Sequence, residues 1–368
     1  MKILYENYLI SPINIKNMEN FEKKGVIFFH PDFLLADAFY SSSEGGRMAL
    51  ITERLNLDGL WGEQIVEADM APLKRIKDIH DENFLTELHK KITHGAEKIE
   101  ENTPVMEKSF EIARRAAGGL LDAIDLIMKG EVSSAFCLSA TPGHFAGVSL
   151  AKGGSLVNYS AIGAHFLTKK YCLQKVAIID LDASHFSGTQ EIFWKRKDVL
   201  TISLHEYPAY PGSGHYSETG DSPARGLTVN VPIPSGYGDR EYLSCIREII
   251  TPMVKQFEPQ FIILSLGTNV LAGDPSYHLL VSEAGLLAMV GEIRNLARAV
   301  CKGKMVSVLE GGSSGKLMSS ALSKVALFLL NNLTAPTDKE EKREIISFAD
   351  WYSYSKVLKN HFRKFWRI

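Results

Sequence analysis

The sequence predicts an α/β protein in which a central, mainly parallel sheet lies between two layers of helices. From about residue 100 onward, short apolar runs rich in β-branched residues alternate with longer segments of helical periodicity. This alternation is typical of buried parallel strands joined by helices. Apolar residues make up 45% of the chain, which is enough material for a large core. We therefore predict one domain over residues 1–368.

Five strands are predicted after residue 100, and each of them ends in a polar or glycine-rich loop. They are Ala135–Leu138, Lys175–Asp180, Val199–Ser203, Phe261–Leu266 and Met305–Leu309. In open parallel sheets the ligand site gathers at the carboxyl ends of the strands. We therefore expect the segments that follow residues 180, 203, 266 and 309 to converge on one site.

Helices are predicted between these strands and at the end of the chain. Amphipathic periodicity indicates helices over 109–129, 158–170 and 242–256, a charged helix around 90–101, and a helical extension over 335–368. The segment Tyr207–His215 is rich in glycine, proline and tyrosine and has no period, which predicts a long surface loop.

Composition argues against several kinds of partner. The formal net charge of −2 offers no basic excess for nucleic acid or an anionic membrane, and we interpret the basic tail His361–Arg367 as a solvated helix end. The four cysteines are dispersed in the sequence, which favours buried thiols in a reducing cytoplasm. No signal-peptide pattern and no apolar run of roughly 18 residues occurs. We expect neither a nucleic-acid nor a membrane partner.

Four segments carry a resemblance to a known family. Thr141–Ala146 is similar to a Pro-Gly-His-His-Ala motif, and Asp180–Thr189 to an Asp-x-Asp-x-His-His-Gly-x-Gly-Thr motif. Gly267–Pro275 is similar to Gly-x-Asp-x-x-x-x-Asp-Pro, and Leu309–Ser313 to Leu-Glu-Gly-Gly-Tyr. The matches extend over about residues 75–330. On these motifs the chain is identified as a divergent member of the histone deacetylase and acetylpolyamine amidohydrolase family, within the arginase/deacetylase superfamily.

The resemblance implies a catalytic zinc site from which this sequence departs. In the family Asp, His and Asp hold the metal, and the matching positions are Asp182, Ser184 and Asn269. A catalytic zinc ion normally needs three nitrogen, sulfur or carboxylate ligands and an open position. A hydroxyl and a carboxamide are poor substitutes, so we predict that zinc binding is lost.

The other catalytic positions implied by the resemblance are also altered. His144 and Asp180 keep one histidine–aspartate dyad, whereas Phe145 and Ser187 replace both members of the second dyad. Ser313 stands where the family has the tyrosine that stabilises the oxyanion, and a serine hydroxyl is too short to reach that point. A conventional deacetylase reaction would lack these contributions.

The resemblance also implies a monovalent cation site and a ligand pocket. The matching cation ligands are Asp180, Asp182, Ser184, Ser203 and Leu204, partly through backbone carbonyls that survive substitution, so we expect potassium or sodium there. The predicted pocket residues are Phe145, His185, Phe186, Gly311 and Gly312. We interpret His205, His215 and His278 as loop residues without a ligand role.

Three functions remain open on the sequence alone. The leading hypothesis is a zinc-free pseudo-deacetylase that binds a ligand, such as a small molecule or an acylated amine, or runs altered chemistry. The alternative is a metal-dependent amidohydrolase acting on acetylated lysine or polyamine, with His185 in a rearranged ligand set. A third is acyl transfer that uses Ser184 or Ser313 with His144 or His185. Self-association is compatible with each.

Overall fold

The structure is a computed structural model that describes residues 25–37, 46–62, 64–313, 315–331, 333 and 348–368. Two sheets lie within these ranges. The strands in chain order are β1 (Val26–Phe29), β2 (Ile65–Glu67), β3 (Lys98–Glu100), β4 (Thr103–Pro104), β5 (Ala135–Cys137), β6 (Val176–Leu181), β7 (Val199–Glu206), β8 (Thr228–Ile233), β9 (Phe261–Leu266) and β10 (Met305–Leu309).

Helices connect most of these strands. In chain order they are α1 (Arg47–Leu57), α2 (Leu73–Lys77), α3 (Glu82–Thr93), α4 (Ser109–Lys129), α5 (Tyr159–Lys170), α6 (Ser187–Phe193), α7 (Asp239–Cys245), α8 (Thr251–Phe257), α9 (Glu283–Cys301), α10 (Gly315–Leu330) and α11 (Phe348–Phe362). A 3-10 helix spans Pro31–Ala36, and a π-helical turn, Ile246–Ile250, joins α7 to α8.

The large sheet is parallel throughout and is buried on both faces. Its strand order is β2-β1-β5-β10-β9-β6-β7-β8, and β3 and β4 form a separate antiparallel pair. Every residue of β5 to β10 is buried, so apolar side chains on both faces pack against helices. The predicted three-layer α/β fold is confirmed. The carboxyl ends of β6, β7, β9 and β10 lie along one edge of it.

The predicted elements after residue 100 are confirmed with small shifts of their ends. All five strands are present, and β7 continues three residues beyond its predicted end, to Glu206. The strand therefore includes His205, which is fully buried, so its assignment to a loop was wrong. Helix α5 begins one residue late because Asn158 caps it: its side chain accepts a hydrogen bond from the Ala161 N–H at 2.9 Å.

The predicted charged helix around 90–101 was wrong in its second half. Helix α3 ends at Thr93, and Gly95 follows it with φ of +83°, a conformation that glycine adopts without strain. The chain then enters β3 and the short hairpin with β4. Charge alone had suggested a continuous helix, whereas the glycine ends it.

The described residues include only part of each end of the chain. The predicted C-terminal extension is helical over Phe348–Phe362, while residues 334–347 lie outside the described residues, as do residues 1–24. The single-domain prediction for 1–368 stays a prediction. Among the described residues, no helix is both long and apolar enough to cross a membrane.

Candidate active site

Three strand ends place the polar residues of the site side by side. In the parallel register, Asp180 of β6 lies opposite Ser203 of β7 and Ser265 of β9. Side chains alternate along a strand and its extended end, so Asp180 and Asp182 are directed toward the same side. Both are fully buried. Two buried carboxylates two residues apart require compensating charges or donors.

The first carboxylate forms a buried ion pair. Asp180 Oδ2 lies 3.0 Å from His144 Nδ1, and both side chains are inaccessible to solvent. The histidine loop is held in place because Glu310 Oε2 accepts the N–H groups of Gly143 and His144, at 2.6 and 3.2 Å. Burial opposes protonation, but the carboxylates of Asp180 and Glu310 prevail and raise the pKa of His144 to about 10.

Three polar atoms around this ion pair lack a hydrogen-bond partner. They are His144 Nε2, Asp180 Oδ1 and Glu310 Oε1, and all three belong to buried side chains. One ligand atom from each of these residues lies within 4.8 Å of the others, so the three could hold a metal ion. Buried polar atoms are usually satisfied, and unsatisfied ones often mark an ion or water position.

The second carboxylate accepts three hydrogen bonds. Asp182 Oδ1 accepts the Ser184 N–H at 2.7 Å and the Asn269 Nδ2–H at 2.8 Å, and Oδ2 accepts the Gly311 N–H at 2.8 Å. The carboxamide of Asn269 is oriented by a further bond, because its Oδ1 accepts the Ala183 N–H at 3.0 Å. The amide hydrogens of Asn269 therefore face Asp182.

Two glycines form a tight wall against the same carboxylate. A Cβ atom at Gly267 would lie 2.0 Å from Asp182 Oδ2, and one at Gly311 would lie 2.4 Å from it. Both distances are far below a normal contact, so any side chain at either position would displace the carboxylate. The predicted pocket residue Gly311 thus contributes both its N–H and its lack of a side chain.

A buried arginine, absent from the sequence-based predictions, completes the charge arrangement. Arg47 of α1 donates through Nη2 to the backbone carbonyl of Glu310, and only 8% of the residue is exposed. Burial lowers the pKa of its guanidinium, while the carboxylates of Asp182, Asp37 and Glu310 oppose that shift. The Arg47 guanidinium and the Asp182 carboxylate therefore attract each other electrostatically.

The hydroxyl groups at the remaining predicted positions are engaged by neighbours. Ser184 Oγ lies 2.6 Å from the hydroxyl of Tyr277. Ser313 Oγ lies 3.1 and 3.2 Å from the two carboxylate oxygens of Asp274, and 3.1 Å from Ser276 Oγ. Neither serine is in hydrogen-bond contact with a histidine in these interactions. Tyr277 places a phenol group close to the position of Ser184.

His185 lies in a neutral hydrogen-bond network on the other side of its strand end. Its Nδ1 is 2.8 Å from Ser213 Oγ, and its Nε2 is 3.2 Å from Gln190 Oε1. Its ring packs 4.8 Å from that of His205, whose Nδ1 lies 2.9 Å from Ser203 Oγ. Burial lowers the pKa of His185 to about 3. Both ring nitrogens of His185 are therefore hydrogen-bonded to residues other than Asp182.

A cavity of about 610 Å³ opens on the candidate site. Its base includes Arg47, Ser184 and Asn269. Its wall includes Phe145 and Tyr210, whose rings pack edge to face at 5.2 Å. The remaining described lining includes Glu206, Tyr277, His278, Gly311, Gly312 and Ser313, but neither His185 nor Phe186.

Four residues of the site were not predicted from the sequence, each for a different reason. Glu310 lies inside the recognised Leu309–Ser313 motif and follows a strand, which is a usable signal. Tyr277 follows Asp274-Pro275 by two residues, but nothing in its spacing indicates the contact with Ser184. Arg47 lies far away in sequence, on a helix whose place in the fold the pattern does not reveal. Glu206 lay outside the predicted strand.

Together, the fold and the site define an α/β protein of the arginase/deacetylase class, with its site at the carboxyl edge of a parallel sheet. The sequence model of the histone deacetylase domain matches residues 42–329, which is most of the chain. The chain belongs to the histone deacetylase family.

Individual relatives agree with this assignment. The chain is 34% identical over 320 residues to a probable deacetylase of Archaeoglobus fulgidus, covering 85% of this chain and 89% of the relative. It is 30% identical over 262 residues to the histone deacetylase-like amidohydrolase of Pseudomonas aeruginosa, covering 71% and 69%. The crystal structure of the HDA15 HD domain superposes with a TM-score of 0.82 at 28% identity, covering 94% of this chain and 96% of that one.

Proposed function

We propose that this chain is a member of the deacetylase family that binds its ligand without a zinc ion at the family's catalytic position. The observation that carries the proposal is the saturation of Asp182 by three hydrogen-bond donors. A metal ion at this position would compete with these three donors for the electron pairs of the carboxylate. The donors of Ser184, Asn269 and Gly311 satisfy the buried carboxylate in the way that a cation would.

The donor set at this position does not fit zinc. Zinc takes three strong ligands of nitrogen, sulfur or carboxylate type, whereas the carboxamide of Asn269 presents its N–H group to Asp182. The hydroxyl of Ser184 is paired with Tyr277. Only one carboxylate of the family's three-ligand set is present, and the Arg47 guanidinium contributes further positive charge beside it.

The remaining groups support ligand binding rather than conventional hydrolysis. Phe145 and Ser313 occupy positions where the resemblance implies a base and an oxyanion donor, and Asp274 holds the Ser313 hydroxyl. The cavity of about 610 Å³ is within the usual range for small-molecule sites. Its aromatic wall and polar base suit a small molecule or an acylated amine, bound in a cytoplasmic protein.

Elemental analysis of the purified protein tests the zinc-free proposal. After incubation with zinc and gel filtration, wild type is expected to retain no stoichiometric zinc. The double variant Ser184→His/Asn269→Asp restores the ligand types that the resemblance implies and should retain about one zinc ion per chain. Stoichiometric zinc in wild type that is lost on Asp182→Asn substitution would contradict the proposal.

A second candidate function is favoured by the unpartnered atoms around His144. An amidohydrolase with a rearranged metal site would hold its ion through His144, Asp180 and Glu310, whose ligand atoms lie within 4.8 Å of one another. This candidate predicts chelator-sensitive release of acetate from acetylated lysine or polyamine. It also predicts bound metal that Glu310→Gln removes and Asn269→Ala leaves unchanged. Absence of turnover in folded, metal-supplied protein would reject it.

A monovalent cation beside Asp180 is also part of the proposal. Asp180 Oδ1 is buried without a hydrogen-bond partner, next to Ser203 in the parallel register. The carboxylates of Asp180, Asp182 and Glu310 outnumber the cations of Arg47 and His144 around them. One potassium or sodium ion, held by Asp180 Oδ1 with oxygens of residues 182, 184, 203 and 204, would balance the charge.

A further inference from the structure

A second groove lies between α7 with the π-helical turn after it and the C-terminal helix α11. Its cavity measures about 640 Å³, which matches the size of small-molecule sites. The family model ends at residue 329, so one whole wall of this groove is formed by residues beyond the matched domain. The pocket described above shares no lining residue with it.

The wall contributed by α11 is a basic stripe along one helix face. Tyr352, Lys356 and Lys359 follow one another at spacings of four and three residues, which places them in line on α11, and Arg363 comes directly after the last residue of the helix. The side chain of Lys356 lies over the Tyr352 ring, 4.1 Å from its centroid. Three cations are therefore presented to the groove from a single surface.

The opposite wall adds one further cation and the only carboxylate among the described lining residues. Arg240 and Glu248 lie two helical turns apart, on α7 and the π-helical turn after it. Glu248 is already engaged, since it is bonded to Lys359 and accepts the Ser244 hydroxyl at 3.1 Å. The ion pair links the two walls, and Lys356 and Arg363 are the basic lining residues of the α11 side that Glu248 does not bind.

This concentration of charge contrasts with the chain as a whole. Residues 348–368 contain five lysines and arginines and a single aspartate, whereas the complete chain carries a formal net charge of −2. Basic residues gathered on one face of an otherwise slightly acidic protein raise the local concentration of anions. Of the basic tail His361–Arg367, which the sequence predicts to be a solvated helix end, Arg363 lines the cavity, and Lys364 and Arg367 are exposed outside it.

We infer that this groove binds a small molecule that carries two or more linked phosphates. Lysine and arginine donate charge-assisted hydrogen bonds to phosphate oxygens. The volume exceeds the needs of a single phosphate, and the half-exposed Tyr352 ring offers a surface for an attached ring system. In this arrangement the phosphates contact Lys356 and those donors of Arg363 that remain beside its bonds to the Ile368 carbonyl oxygen, at 2.9 Å, and to Asn360 Oδ1, at 3.0 Å.

Titration calorimetry at low ionic strength tests the inference with pyrophosphate, adenosine triphosphate and uncharged adenosine as probes. Wild type should bind the two phosphate compounds and not adenosine. Lys356→Glu/Arg363→Glu should weaken binding by about tenfold or more, since two charge-assisted contacts are reversed. The matched control Lys364→Glu/Arg367→Glu makes the same change of net charge on the same segment, outside the groove lining, and should alter the affinity less than about threefold.

The outcomes separate a specific site from general attraction. Equal weakening in both double variants, or no heat with either phosphate compound in wild type, overturns the inference. The milder pair Lys356→Gln/Arg363→Gln guards against misfolding, and its circular dichroism and unfolding midpoint should match wild type. Tighter binding of adenosine triphosphate than of pyrophosphate adds ring recognition by Tyr352, and equal affinity assigns the site to the phosphates alone.

Discussion

The two sides of the candidate site handle buried charge in opposite ways. On one side, which we call the open side, His144, Asp180 and Glu310 each retain a buried atom without a hydrogen-bond partner. On the other, the closed side, Asp182 accepts three hydrogen bonds, and Asn269 is fixed by a fourth. The sides are adjacent, because Asp180 and Asp182 are two residues apart.

This difference indicates where an additional polar partner could bind. A buried polar atom without a hydrogen-bond partner costs free energy unless a cation or a water molecule satisfies it, so such a partner would stabilise the open side. The Asp182 carboxylate already has three donors. The resemblance to metal-dependent relatives applies to both sides equally, and only the hydrogen-bond arrangement distinguishes them.

Removal of the closed-side carboxylate should have the largest effect. Asp182→Ala leaves the N–H groups of Ser184, Asn269 and Gly311 without an acceptor and removes one of the carboxylates that act on Arg47. Breaking such a buried arrangement costs about 3–5 kcal/mol of unfolding free energy. Urea denaturation measures this loss, with Ser313→Ala as a control that should cost about 1 kcal/mol or less. A small loss for Asp182→Ala would show that the network is not the stabilising element.

Lowering the pH should destabilise the protein through His185. The pKa of this buried histidine is lowered, whereas that of His144 is raised. Burial lowers the pKa of His185 to about 3, from 6.5. Its contribution to stability is therefore complete above pH 6.5 and is lost as the pH falls, because the unfolded chain takes up the proton first. Between pH 7.5 and 5.0 the loss from this group should be about 2 kcal/mol.

Unfolding curves of wild type and His185→Gln at these two pH values isolate the contribution. The variant should lose less stability on acidification than wild type, while His215→Gln, a substitution in a loop, should behave as wild type does. An identical pH dependence in His185→Gln and wild type would mean that the histidine is not held neutral.

Potassium should stabilise the protein through the open side. At a concentration ten times its dissociation constant, an ion that binds only the folded state adds about 1.4 kcal/mol. Thermal unfolding in potassium chloride, compared with tetramethylammonium chloride at equal ionic strength, measures the effect. Asp180→Asn should abolish the difference, whereas Asn269→Ala should preserve it. Equal midpoints in both salts for wild type would remove the argument for a cation at Asp180.

The smallest effect is expected from the phenol at the base of the pocket. Tyr277→Phe removes the bond to Ser184 Oγ, a single neutral hydrogen bond worth about 1 kcal/mol. A crystal structure of the variant should show Asp182 and Asn269 unchanged. A shift of Asn269 away from Asp182 would mean that the closed side depends on the pocket wall as well as on its own bonds.

Local patterns in the sequence were sufficient for the architecture and for part of the site. Apolar runs locate the central strands, and the four motifs bring His144, Asp180, Asp182, Asn269 and Ser313 to one edge of the sheet. The sequence could not reveal that the carboxamide of Asn269 donates to Asp182, because amide orientation depends on a contact with the backbone of Ala183. It could not place Arg47 either, since only the packing of α1 brings it there.

The wall made by Gly267 and Gly311 limits what can change around Asp182. Both glycines leave room for the Asp182 carboxylate and for nothing larger, and this limit is the same whether a metal ion or an amide group lies on the other side of the carboxylate. Under our proposal, substitutions at Ser184 and Asn269 are therefore sufficient to rebuild a metal site, and the strands that position Asp182 need no change.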